Sequence, residues 1–499
     1  PAPLARDLKE PSAYQTLTGV LYRWRWLVAT VAMLVLGAIL VDWAGARPGY
    51  DPHGWLVWGH LTLHGNLDTN GAPSWKPLPY LFTLPYALLG KHALTLWMIT
   101  AFGASMTGVV FAWRLAFKLV DAPPQRRYAA YVAGLVAGAA LLGTYQYLHS
   151  IFSAESDTII VTLCLAAVDC ILERRFRWAF WLWWLAALGR PEAWAPMGLY
   201  VLWAWRYQPA MRRQIVAGIV LIPVLWFGIP AISSKSPFSA ASLAQGSPRA
   251  IHGNKITGTF SRFLELNATA VELAALITVG LACLRRERAV LLLAGGVVLW
   301  VLVEAAFALH GWPAVPRYLY EAGGGVCVLA GVFAGRVILD APAALRWIAA
   351  RSRLQRRRWP ASPASPVTAG VAALIVLLVF AVSVGGVARS RLHDEQTDLK
   401  SQRQRTHEIL LLNQVVQHLR GAKILACGKP NIGIEWQSML AWDLGTNTGT
   451  LYFSAKHQRE HPQPVVNMYP HSYGWQFFPA DVNLSAHPAD CSGLTYRTP

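Results

Sequence analysis

Residues 49–80 read GYDPHGWLVWGHLTLHGNLDTNGAPSWKPLPY, between apolar runs over 26–46 and 92–117. A helix needs about 17–25 apolar residues to cross the hydrocarbon layer of a bilayer, and both flanking runs qualify. The stretch between them holds Asp51, Asp68, Lys76 and three histidines among tryptophans and prolines. It is a polar loop between two membrane spans. The whole composition agrees: 54% of the 499 residues are hydrophobic, 14% are charged and 23 are tryptophan. A soluble domain carries about 25% charged residues, and one soluble core could not bury so much apolar surface.

Working outward, the apolar runs predict about eleven spans, near 26–46, 92–117, 128–147, 157–172, 178–189, 193–206, 215–232, 268–284, 289–309, 318–339 and 367–388. Their connections alternate between basic and non-basic. About 23 Lys/Arg lie on one side and about 9 on the other, so the positive-inside rule makes the basic side cytoplasmic. The amino terminus is then inside and the tail outside. The net charge of +18 is accounted for by topology, which removes the case for a nucleic-acid partner. The expected fold is mainly α: a polytopic helix bundle over 1–389, with a small extracytoplasmic α/β domain over 390–499. In that tail an amphipathic helix is predicted over 395–419, and KILAC, TLYFS, PVVNMY and GWQFF read as strands. Cys427 and Cys491 lie where a disulfide can persist.

This topology gathers the unusual residues on the outer side. The first loop gives Asp51, Asp68 and Lys76; SAESD gives Glu155 and Asp157; GRPE gives Arg190 and Glu192; VPRYLYE gives Arg317 and Glu321. Ionisable groups this near hydrocarbon usually face a cavity or a partner. Each has a plain reading beside it. A charge at a helix end is commonly a solvated anchor, Asp157 caps a helix, and Trp55, Trp58 and Trp75 form an interfacial aromatic belt on a short helix lying over His53–Leu63. The two spans that meet at GRPE are short, which sets their junction in a protein-lined recess.

Acids beside cations on such a face suit glycosyl transfer from a lipid phosphate. A carboxylate takes the acceptor proton and cations hold the charge that builds on the departing phosphate. The phosphate leaves as a stable anion, so no protein acid need protonate it.

YDPHGW after the first span, then SWKPLPYLFTLPYALLG, LGRPEAW and VPRYLYE, together with ESD in the second outer loop, resemble the GT-C glycosyltransferase superfamily over roughly residues 20–340. The resemblance implies Asp51 as catalytic base, and Lys76, Arg190 and Arg317 as ligands of the donor phosphate. It gives Glu155, Asp157 and Glu192 a supporting role. Asp51 is followed by Pro where many members have a second acid, and WKPLPY stands where a Pro-rich HPPL is usual. A divalent ion at Glu155 and Asp157 is therefore left open against their pairing with Arg190, and the pairing is favoured. The implied donor is a polyprenyl-phosphate sugar, with arabinofuranose or mannose favoured as in actinobacterial cell-envelope enzymes. The implied acceptor is an envelope glycan or glycolipid, with Asp68, Trp75, Trp436, Tyr473 and Trp475 expected to bind it. The alternatives are a lipid-linked sugar flippase, which would place its charges near midplane or on both sides of the membrane, and a non-catalytic envelope-assembly protein, which needs no acid in register with the bases.

Overall fold

The computed structural model describes residues 13–71, 75–245, 247–355, 366–451, 465–471, 474–480, 491 and 496–497. The chain is a multi-pass helix bundle with a small sheet domain at one end. α1 (Ala13–Ala44) leads into α2 (Tyr50–Leu63), α3 (Pro77–Ala87) and α4 (Ala93–Val120). Next come α5 (Tyr128–Leu142), the short α6 (Tyr147–Phe152), α7 (Ser156–Leu172), α8 (Phe176–Gly189) and α9 (Trp194–Tyr207). α10 (Arg212–Pro223) continues through a π-turn at Val224–Gly228 into α11 (Ile229–Ser233), followed by α12 (Ser239–Gln245) and α13 (Lys255–Leu264). The last bundle helices are α14 (Thr269–Arg285), α15 (Arg288–Leu309), α16 (Tyr320–Gln355) and α17 (Pro366–Leu419).

Every one of the predicted spans is a helix. By length and composition alone, six helices among the described residues could cross a membrane, or seven if α13 and α14, bent by 99°, count as one. The other predicted spans are the shorter α5, α7, α8 and α9. α7 is buried along most of its length and α5 and α8 along about half of theirs, whereas α9 buries only Met197, Tyr200 and Ala204. α16 lies at the centre, with 78% of its apolar window buried against 6–50% for the other five long helices. Glycines permit this. A Cβ at Gly331 would collide with the Ala133 carbonyl, and one at Gly335 would approach the Ala129 carbonyl to 3.0 Å, the close backbone approach typical of small residues four apart in membrane helices.

The tail differs from expectation in two ways. α17 is one continuous helix, so 389/390 falls inside it and the predicted amphipathic helix is its far end. No proline interrupts 367–419. KILAC is helical, within α18 (Gly421–Cys427); a short apolar run does not distinguish strand from helix by periodicity. PVVNMY and GWQFF are strands. β1 (Lys429–Asn431) pairs parallel with β2 (Val465–His471), which pairs antiparallel with β3 (Gly474–Ala480), itself antiparallel to β4 (Tyr496–Arg497). α19 (Gln437–Leu444) completes the domain. TLYFS lies mostly outside the described residues. The Cys427–Cys491 disulfide is formed.

The sheet domain is not a free appendage. Its core takes Val57 and Leu61 from α2 together with Ile409, Leu412 and Val416 from α17. The Asn447 side chain donates to the Asp68 carbonyl at 2.9 Å, and Arg403 donates to the Ala44 and Trp43 carbonyls at 2.7 and 3.0 Å.

Candidate active site

The candidate residues converge at helix starts. Asp51 lies in the first turn of α2, and Asp157 in the first turn of α7, with Glu155 just ahead of it. Glu321 opens α16. Each cation adjoins a proline. Lys76 precedes Pro77 at the start of α3, Arg190 precedes Pro191 before α9, and Arg317 follows Pro316 before α16. A proline fixes its own φ and drives its predecessor to extended backbone. Lys76 (φ −141°, ψ 120°) and Arg190 (φ −146°, ψ 131°) are both extended. The cations are thus aimed by the backbone, at a place where several helix dipoles already favour negative charge.

Arg317 is the hub. Its Nη2 donates to Asp51 Oδ2 at 3.1 Å, its Nη1 lies 3.4 Å from Glu155 Oε2, and its Nε lies 3.8 Å from Asp157 Oδ2. Arg190 donates to Asp157 Oδ1 and has Glu192 Oε1 3.8 Å from its Nη1. The Arg190 guanidinium also stacks 3.5 Å over the Tyr318 ring. Lys76 Nζ stands 3.9 Å from Asp157 Oδ1 and 3.4 Å from Ser156 Oγ. Burial and the adjacent Asp51 charge push Glu155 up to about 8, against the pull of Arg317. With Glu155 neutral, Asp51, Asp157 and Glu192 are matched by Lys76, Arg190 and Arg317, so an anion enters by displacing a carboxylate from one of these cations.

This donor set does not fit a divalent ion. Asp157 is engaged by Arg190, Arg317 and Lys76, and Glu155 turns to Arg317. The histidines do not converge on it either. His53 is buried and donates from Nδ1 to the Gly49 carbonyl at 2.9 Å, and burial lowers it to about 4. His60 and His64 lie against each other, tilted by 43° with centroids 4.4 Å apart.

Several expectations fail on burial. Trp55, Trp58 and Trp75 do not face lipid; they are 0%, 1% and 1% exposed. Trp55 meets Trp97 edge-on at 5.4 Å, and Trp58 meets Trp75 at 5.0 Å. The predicted helix over His53–Leu63 is present, but α2 is a buried strut between bundle and sheet domain. Trp436 and Trp475 pack edge-to-face at 5.0 Å inside the sheet-domain core, which leaves their faces no room for a sugar. Tyr473 lies outside the described residues. Asp68 is not brought to the cluster. Its Oδ1 accepts from Asn70 N and Nδ2 at 2.8 and 2.6 Å, closing a turn.

Sequence reasoning missed Glu304. It is fully buried on α15 and faces Glu192 and Arg190, behind the cation cluster. The signal was available, since it is the one charged residue within the apolar run 289–309 and an intramembrane acid is a functional candidate by default. Tyr318, the platform under Arg190, was also passed over.

No family model matches the chain, and no curated protein matches it. Among solved structures, ArnT from Cupriavidus metallidurans bound to undecaprenyl phosphate aligns at TM-score 0.50 and 15% identity. The alignment covers 93% of this chain and 99% of that one. This chain has a GT-C-type fold. The apo state of the same ArnT aligns at TM-score 0.49 and 14% identity, covering 90% of this chain and 93% of that one.

Proposed function

We propose that the chain is an inverting glycosyltransferase that moves a sugar from a polyprenyl-phosphate donor to an envelope glycan or glycolipid. The observation that carries this reading is Asp51 held against Arg317 in a cluster where Lys76 and Arg190 converge on Asp157. The related fold of ArnT holds undecaprenyl phosphate, which supports a lipid-phosphate donor. On this reading Lys76, Arg190 and Arg317 take the donor phosphate. The phosphate competes with Asp51 for Arg317 and so frees the carboxylate. Asp51 then removes the proton of the acceptor hydroxyl as its oxygen attacks the anomeric carbon. The bond from that carbon to the phosphate oxygen breaks, its electron pair stays with the lipid phosphate, and the fixed cations stabilise the charge. Glu155, Asp157 and Glu192 set the cations' positions. Arabinofuranose and mannose are the favoured sugars.

The site lies on the outer face of the plasma membrane, with the amino terminus cytoplasmic and the sheet domain extracytoplasmic. The distribution of Lys and Arg supports this orientation. So does the Cys427–Cys491 disulfide, which belongs in an oxidising compartment.

Asp51→Asn tests the chemistry, because an amide cannot take the proton. With purified protein and a synthetic polyprenyl-phosphate sugar, transfer should fall by about 10²–10⁴-fold while prenyl-phosphate binding persists. Wild-type turnover in that variant would refute the assignment.

A further inference from the structure

Beyond its membrane-spanning half, α17 carries charged side chains that mostly have partners. Arg391 donates to the Gly143 and Leu266 carbonyls at 2.5 and 2.7 Å, and Arg403 closes the end of α1. Asp398 accepts from His149 Nδ1 at 2.7 Å and from Gln402 Nε2 at 2.6 Å. Arg405 differs. Its Nε and Nη2 are buried and donate to nothing among the described residues.

The position of Arg405 is informative. Its guanidinium lies against Gly49, where an added Cβ would sit 3.5 Å from both Cζ and Nη1. Gly49 is two residues before Asp51, so their α-carbons are at most about 7 Å apart. Arg405 acts through its charge on His53 and feels Glu155, Asp398 and Glu408. None of these acids closes to ion-pair distance with it among the described residues. A guanidinium stays charged at any attainable pH, and burying it without a partner is costly. An oxyanion admitted by a shift of the Arg405 side chain would satisfy both donors with charge-assisted hydrogen bonds.

We propose that Arg405 forms a second anion subsite, which holds a phosphate-type oxyanion on the acceptor beside Asp51. Two observations assign it to the acceptor and not the donor. The three donor cations each stand at ion-pair distance from Asp157, whereas Arg405 has no ion pair with that cluster among the described residues and feels it only through the Glu155 charge. Arg405 also lies one turn before Ile409, where α17 begins to contribute to the sheet-domain core. Asp51 thus touches the donor cations through Arg317 and lies two residues from the glycine that packs on Arg405. The word acceptor rests on the transferase reading above; the subsite itself does not.

The test uses the full chain in lipid nanodiscs, saturated with decaprenyl phosphate so that the donor cations are occupied. Inorganic phosphate is then titrated and followed by phosphorus NMR line broadening. Wild type should still bind inorganic phosphate, Arg405→Gln should bind it about tenfold more weakly, the loss of one charged contact of about 1.4 kcal/mol, and Arg405→Lys should fall between. Decaprenyl-phosphate affinity should stay within about twofold in both variants, whereas Arg317→Met should lower it about tenfold. Absence of phosphate binding in lipid-saturated wild type, or equal binding in wild type and Arg405→Gln, would overturn the subsite. A tenfold loss of decaprenyl-phosphate affinity in Arg405→Gln would place Arg405 in the donor clamp and overturn its assignment to the acceptor. Should Arg405→Gln fail to elute as folded protein, Arg405→Lys decides: phosphate affinity equal to wild type overturns the proposal. The titration needs no turnover, so a failure of Asp51→Asn to abolish transfer would be read separately.

Discussion

Arg317 contacts Asp51, Glu155 and Asp157 at once, and the proton on Glu155 decides how well that cluster accepts a phosphate. Glu155 is held up to about 8 by burial and by Asp51, so it is neutral at pH 7 and ionises as pH rises through about 8. Ionisation adds a negative charge beside Arg317 and opposes anion binding. A phosphate monoester is already largely dianionic above its second pKa of about 6, so a change near 8 belongs to the protein. Prenyl-phosphate affinity should therefore fall with rising pH through about 8 in wild type and stay level in Glu155→Gln; isothermal titration at pH 6.5–9.5 reads this. The same fall in both proteins would remove Glu155 from the account. These residues were legible in the sequence because a charge on an apolar background is costly and stands out. Arg405 was not, because it lies in the charge-rich run HDEQTDLKSQRQRTHE, where nothing local distinguishes a partly buried arginine from a solvated one.

The elements that hold these side chains depend on close helix crossings. α2 lies on α3 at Gly59, where a Cβ would come within 2.5 Å of the Thr83 carbonyl oxygen. That neighbour is backbone and cannot swing aside, so Gly59→Ala must push α2 off α3. The strain should cost about 1–3 kcal/mol, seen as a lower melting temperature. Transfer should fall with it, since α2 carries Asp51 and α3 begins after Lys76. An unchanged melting temperature would show that the crossing gives freely. The helix itself was predicted, while its environment was misjudged. Trp55 and Trp58 suit a lipid interface or a packed core equally well by composition, and what decides between them is a domain several hundred residues later in the chain. Val57 and Leu61 pack into the core of that domain, so α2 is roofed over and its tryptophans turn inward.

At the scale of the molecule, the bundle was readable because each long apolar run must be a helix if its backbone is to be satisfied in lipid. The sheet domain was readable only in part. Its strands PVVNMY and GWQFF carried a signal, whereas the continuous α17 and the docking onto α2 arise from contacts far apart in sequence. On the reading proposed above, one donor-phosphate site, built from helix starts of the bundle, lies under the sheet domain with Asp51 at its edge. The most direct measurement is a cryo-EM structure of the full chain in nanodiscs with decaprenyl phosphate bound. The phosphate should lie in contact with Arg317 and within reach of Lys76 and Arg190, with the 3.1 Å Arg317–Asp51 contact opened and Asp51 turned away from Arg317. Phosphate bound away from Arg317, with the Arg317–Asp51 pair intact, would contradict it.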